Sequence, residues 1–369
     1  MRRLPTIIAA ALALSGCSEE SGQDGEPGPV VPSRTPASFV GIVSEDLLAG
    51  DAAYRERMLA RQAGVGIGLV RQTFHWDRIE RSPGHYDFAE YDAYVEALAR
   101  HGMELLPILF SPPAFRASGD RTRGTFPPDR PRDLGAFAAR LVERYGPRGS
   151  FWRERPGLPR RPIRAWQVWN EPNLPQYWPE GPDPAGYAAL LRATAVSIRR
   201  ADPHAKVVSA GLSESRLGMP FRRFVTGMYE AGAGRSIDIF ALHAFARTAR
   251  GSLDAAETTR ALLEDLGQRP QIWVTEFGWA SGGPASPFTT SERGQAERVG
   301  AALRELIARR EELGLRGAVY FAWRDAPVYE GGQDFFGLHT GLLDIDGRPK
   351  PALEAFASAA AAARRGNSL

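Results

Sequence analysis

Eight short apolar runs, alternating with amphipathic stretches that carry helix caps, constrain this chain more than any other feature. They fall near residues 39–43, 68–72, 104–110, 164–169, 206–210, 237–243, 271–275 and 318–323. Runs of this length between helical segments imply parallel strands joined by crossover helices. The intervening helices are signposted. Asp87 precedes Phe88, Tyr91, Tyr94 and Leu98, and Gly102 follows them. Asp133 opens a segment with Phe137 and Leu141 that Gly146 ends. Asp183-Pro184 supplies an N-cap and a first-turn proline. Ser291 opens a helix with Val299, Leu303 and Ile307, closed by Gly314, and a last helix follows Lys350-Pro351. Eight strands are the number that closes a barrel, so the expected class is α/β, a (β/α)8 TIM barrel forming a single domain over residues 38–369.

The N-terminal residues read differently. Arg2 and Arg3 precede an apolar run ending at Leu14, which is too short for the roughly 20 residues a bilayer span needs and fits a signal peptide over residues 1–17. It ends Leu14-Ser15-Gly16-Cys17, which resembles a bacterial lipobox, and Cys17 is the only cysteine in the chain. Without a second cysteine it has no internal disulfide partner. Residues 18–37 are rich in Ser, Gly, Pro and acid, the composition of a disordered tether. The expectation is an exported protein, lipid-anchored through Cys17 to the outer face of a bacterial membrane. The formal charge is only +3, and the basic residues are almost all arginine, with Lys206 and Lys350 the two lysines. Nothing in this balance points to nucleic acid.

In a barrel of this kind the chemistry sits on the loops that leave the carboxyl ends of the strands. At the end of the fourth run the chain reads Trp166-Gln167-Val168-Trp169-Asn170-Glu171-Pro172-Asn173. At the end of the seventh it reads Trp273-Val274-Thr275-Glu276-Phe277-Gly278-Trp279. Two glutamates thus emerge on one rim, three strands apart. Glycosidic cleavage needs such a pair, one carboxyl to protonate the leaving oxygen and one to attack the anomeric carbon.

Asn-Glu-Pro after an apolar fourth strand, with a second glutamate ending the seventh, resembles the clan A glycoside hydrolases, a superfamily of (β/α)8 retaining enzymes. The motif Asn173-Leu174-Pro175-Gln176-Tyr177-Trp178 leans towards the branch of β-xylosidases and endoglycosidases in family 39. The resemblance implies Glu171 as acid/base, Glu276 as nucleophile and Asn170 as a contact to the sugar 2-hydroxyl. It also implies Arg71 as support for the nucleophile, His243 as the clan histidine, and Trp323 as the floor of the subsite for the scissile sugar. The segments 76–88 and 341–352 resemble stretches of the same families. One departure is Phe245, where the clan commonly has a tyrosine whose hydroxyl contacts the nucleophile. Tyr177 or Tyr320 could supply that hydroxyl instead, or Arg71 alone could tune the carboxylate.

Trp76, Trp169, Trp178, Trp279 and Trp323 fall at or just beyond strand ends, where indole rings could stack on sugar C–H faces. The stretch 116–132 carries five arginines that could meet anionic sugars, or simply be solvated. No metal-binding spacing is visible, and no cofactor is implied. The expected partner is an oligo- or polysaccharide, cleaved with retention. The rival readings are a catalytically impaired carbohydrate-binding lipoprotein and a transglycosylase using the same residues.

Overall fold

The computed structural model describes residues 35–329 and 331–365. The expected signal peptide and Cys17 lie outside the described residues, as does most of the expected tether. Its last residues are described: Thr35 is buried, and Ala37 opens a 3-10 turn.

Eight parallel strands close into a ring: β1 (Val40–Val43), β2 (Leu69–His75), β3 (Glu104–Phe110), β4 (Ala165–Val168), β5 (Lys206–Val208), β6 (Ile239–His243), β7 (Gln271–Phe277) and β8 (Leu315–Tyr320). Each pairs in parallel with its neighbour in sequence, and β8 pairs with β1 to complete the circuit. Each strand is followed by a helix: α1 (Ala52–Gly64), α2 (Ala89–Arg100), α3 (Pro131–Tyr145), α4 (Pro184–Ala201), α5 (Phe221–Glu230), α6 (Ala249–Asp265), α7 (Glu292–Ala308) and α8 (Pro351–Arg365). This is the (β/α)8 barrel that the alternation predicts.

The caps act as expected at two of these helices. Asp183 accepts from the Ala185 amide, and Ser291 from the Gly294 amide, each satisfying an amide in the first helical turn that has no partner within the helix. At α3 the start is two residues earlier than Asp133 suggests. Pro131 takes the first helical position because its fixed φ suits it and its missing N–H costs nothing there. Strand β8 also differs, beginning at Leu315. Gly317 breaks the apolar run in sequence, yet it is needed inside the strand, because a Cβ there would sit 2.6 Å from Trp273 Nε1. A short antiparallel hairpin, Glu80–Ser82 with His85–Tyr86, follows β2 and turns at Gly84, whose φ is 80°.

The apolar side chains form two layers. Val43, Leu69, Leu106, Val208, Ile239, Ala241, Trp273 and Val319 fill the barrel interior. A larger layer lies between strands and helices. Burying each branched side chain contributes about 1.5–3 kcal/mol. The inner layer closes the floor of the barrel, so polar groups above it face the carboxyl rim. None of the described helices is long and apolar enough to cross a membrane.

Candidate active site

Alternation along a strand decides which side chains enter the barrel. On β2, Leu69 is in the inner layer, so Arg71 two residues on also points inward. The strand runs on to His75, which places Arg71 inside the barrel rather than at the strand end, and it is 1 % exposed. On β6, Ile239 and Ala241 point inward and His243 continues the series.

Glu276 needs a different device. Trp273 points inward, so strict alternation would turn Glu276 outward. The register with β6 shifts between Val274, opposite Leu242, and Glu276, opposite His243, leaving one extra residue on β7. Such a bulge re-aims the following side chain, and Glu276 faces the interior beside His243.

At β4 the turn is made by the backbone. Trp169 has φ 72° and Glu171 φ 39°, left-handed conformations that cost side-chain-bearing residues about 1–3 kcal/mol each. The surroundings hold them. The Trp169 indole donates to the Tyr177 carbonyl at 3.0 Å and meets the Phe110 ring edge-on. The Glu171 amide donates to the Gly211 carbonyl at 3.0 Å. Gly211 itself must lack a side chain, since a Cβ there would lie 1.9 Å from His243 Nε2.

These devices bring the two glutamates to opposite sides of one imidazole. His243 Nδ1 is 2.9 Å from Glu171 Oε1, and Nε2 is 3.4 Å from Glu276 Oε1. Arg71 binds from below. Its Nη1 donates to Glu276 Oε1 at 2.6 Å, Nη2 to Asn170 Oδ1 at 3.0 Å and Nε to Gln167 Oε1 at 2.8 Å. Ser213 Oγ donates to Glu171 Oε1 at 2.8 Å. Glu171, Glu276, Asn170, Arg71 and His243 therefore meet in one constellation. Sequence reasoning missed Gln167, Gly211 and Ser213, which are small or neutral residues without a chemical signature.

Burial pushes the Glu171 carboxyl up, but the electrostatic influence of His243, the bonds from His243 and Ser213, and Arg71 outweigh it and hold it below the usual carboxylate range. Burial first, then the charges of Glu171 and Glu276, raises the Tyr177 phenol, which therefore lies within electrostatic reach of both carboxylates. The Tyr320 hydroxyl instead donates to the Thr340 carbonyl at 2.8 Å. Phe245 lies edge-on to His243 and packs against Phe288, Phe321 and Phe336.

The tryptophans expected to line subsites need correction. Trp76, Trp169, Trp279 and Trp323 are 0 % exposed and Trp178 7 %, so none offers a free face to a sugar. Trp76 stacks on Phe137 and donates to Glu80, and Trp279 donates to the Ala246 carbonyl. Trp323 packs outward, with Arg61 of α1 6.0 Å from its ring. It cannot floor a subsite. Phe321, which packs on the inner layer beside Phe245, is the half-buried aromatic at the end of β8. The arginine-rich loop is largely tied down: Arg116 pairs with Glu80 and Asp133, Arg123 with Glu180, and Arg130 with Asp133. Among the described residues no group of three or more His, Cys, Asp or Glu is placed to hold a metal ion.

The fold and the site define the class as a (β/α)8 barrel with two glutamates gathered around one histidine at the carboxyl rim of its strands. By fold and by sequence the chain is similar to clan A glycoside hydrolases, the resemblance its motifs carry. No family model matches it. Its sequence is 26 % identical over 297 residues to a β-xylosidase of Caldicellulosiruptor saccharolyticus, covering 73 % of this chain and 56 % of that protein. It is 31 % identical over 134 residues to a β-xylosidase of Geobacillus stearothermophilus, covering 33 % of this chain and 24 % of that one. The chain thus spans about half the length of the first of these curated relatives and matches a quarter of the second. Among solved structures it is similar to a family 39 glycoside hydrolase from Bacteroides cellulosilyticus, with TM-score 0.67 and 18 % identity over 90 % of this chain and 65 % of that one. It is also similar to xylanase 10B of Thermotoga maritima, with TM-score 0.58 and 17 % identity over 90 % of this chain and 97 % of that one.

Proposed function

We propose that this protein is a retaining O-glycoside hydrolase acting on an oligo- or polysaccharide. The observation that carries the reading is His243, whose two ring nitrogens face Glu171 at 2.9 Å and Glu276 at 3.4 Å, so that one imidazole gathers the two carboxyl groups at a single site. In the first step Glu276 attacks the anomeric carbon while Glu171 gives a proton to the leaving oxygen, and the C–O bond breaks. In the second, Glu171 takes a proton from water, whose oxygen displaces Glu276. Arg71 pairs with the nucleophile, and Asn170, oriented by the same guanidinium, serves the sugar 2-hydroxyl. The β-xylosidase relatives support a substrate of the xyloside type.

A panel of aryl glycosides, with β-xylosides among them, tests wild type against Glu276→Ala. Trapping with a 2-fluoro glycoside followed by peptide mass spectrometry then identifies the nucleophile, and label on any residue but Glu276 refutes the assignment. Transfer of the glycosyl unit to added sugar rather than water would identify the same machinery as a transglycosylase.

Export and lipid anchoring through Cys17 belong to the same proposal, supported by the motif Leu14-Ser15-Gly16-Cys17. Metabolic labelling with an alkyne fatty acid should mark the wild type and not Cys17→Ser.

A further inference from the structure

Both carboxyl groups of the site are held by one oxygen only. Ser213 Oγ and His243 Nδ1 converge on Oε1 of Glu171, at 2.8 and 2.9 Å. Arg71 Nη1 and His243 Nε2 converge on Oε1 of Glu276, at 2.6 and 3.4 Å. Among the described residues no hydrogen bond reaches Oε2 of either glutamate. His243 serves both carboxyls, and Arg71 belongs to the nucleophile. Among the described residues Ser213 supplies the one hydroxyl that hydrogen-bonds Glu171.

The chain places that hydroxyl deliberately. After β5 the backbone passes Gly211 and returns to the barrel as a two-residue strand, Leu212–Ser213, which pairs with the end of β6. In that register Ser213 lies opposite His243. The Ser213 carbonyl accepts from Asn173 Nδ2 at 2.9 Å, and Asn173, fully buried, stands two residues beyond Glu171. The loop that carries the carboxyl is thus tied to the main chain of the residue that bonds it.

We propose that Ser213 is a positioning residue for Glu171: with His243 it fixes Oε1 as an acceptor, which leaves Oε2 as the oxygen that delivers the proton to the leaving group and takes it back from water. This rests on Glu171 being the acid/base. A carboxyl protonated on Oε2 still accepts at Oε1, so the clamp holds in both protonation states, although it favours the ionised one. The titratable and charged groups around Glu171 are His243 from β6, Arg71 from β2, Glu276 from β7 and Tyr177 from its own loop.

The test compares Ser213→Ala and Ser213→Thr with wild type. Asn173 bonds the backbone of residue 213, so both variants keep that tie. In protein labelled with 13C at the glutamate carboxyls, and with Glu171→Gln to assign the signal, Glu171 should titrate at higher pH in Ser213→Ala and return to the wild-type position in Ser213→Thr. On aryl glycosides with poor leaving groups Ser213→Ala should lose about tenfold in kcat/KM, while 2,4-dinitrophenyl glycosides, which need little acid assistance, change less than about twofold. A Glu171 titration that does not move in Ser213→Ala, or an equal loss on both substrates, overturns the proposal. If the titration moves but wild type cleaves no glycoside, the hold of Ser213 on Glu171 stands and the hydrolase reading falls. If wild type cleaves glycosides and the titration stays where it was, the hydrolase reading stands and the role of Ser213 falls.

Discussion

Arg71 Nη1 lies 2.6 Å from Glu276 Oε1, and the guanidinium that makes this bond is 1 % exposed. It also bonds Gln167 and Asn170, so one buried cation orients Glu276 and Asn170 together. Removing one partner of such a pair leaves a buried charge uncompensated, at about 3–5 kcal/mol. Arg71→Met should therefore lower the unfolding midpoint and reduce kcat/KM by at least about 100-fold. Arg71→Met combined with Glu276→Gln should be less destabilised than Arg71→Met alone, because neither charge is left buried. Chemical denaturation of the three variants and wild type closes this cycle, and simple additivity would contradict the pairing.

His243 governs how Glu171 responds to pH. Burial raises the Glu171 carboxyl, and the His243 charge is the foremost of the influences that bring it below its ordinary value. A carboxyl whose folded pKa is depressed contributes stability above its unfolded value, about 4.3, and loses it as pH falls through the folded value. His243→Asn removes the main lowering influence and leaves burial, so the carboxyl rises and that contribution shrinks or reverses. Measured by urea unfolding from about pH 7 down to about pH 4, the stability advantage of wild type over His243→Asn should narrow with acid. A gap independent of pH would separate His243 from the titration of Glu171.

Glu80 is buried without exposure and joins two rim loops. It accepts from Trp76 Nε1 and Arg116 Nη2, both at 2.6 Å, and from the Gly84 amide at 2.8 Å. Glu80→Ala leaves the buried Trp76 N–H without its acceptor and Arg116 with Asp133 alone, and should cost about 2–4 kcal/mol. Differential scanning calorimetry should show the loss, and Glu80→Gln, which keeps an acceptor, should recover part of it.

Much of this architecture is legible in the residues, and the exceptions share a cause. The strands can be read because β-branched and apolar runs buried on both faces have few other uses, and Asn170-Glu171-Pro172 marks the fourth strand end. What cannot be read is direction. Glu276 enters the barrel through a bulge opposite His243, and no alternation pattern announces an extra residue. Gly211 and Gly317 matter for the side chains they lack, His243 and Trp273 filling the space. Ser213 reaches Glu171 only because a two-residue strand returns beside β6. The rim tryptophans depart from expectation for the same reason, since nearness to a strand end does not say which side of the barrel a ring takes.

Phe321 and Trp323 turn that last point into a measurement. They stand two residues apart beyond β8, but Trp323 is fully buried beside Arg61, whereas Phe321 is half-buried and packs on Phe245 within the phenylalanine cluster. Trp323→Ala empties a site that has no solvent face and should cost about 3–5 kcal/mol in stability, with KM on surviving protein little changed. Phe321→Ala removes an apolar face at the end of β8 and should raise KM for glycosides about tenfold, at less than about 2 kcal/mol of stability. Unfolding curves and initial rates on the same preparations separate the two. If Trp323→Ala were the variant that raised KM while folding normally, the indole would be the sugar platform after all, and the outward packing beside Arg61 would have to give way when substrate binds.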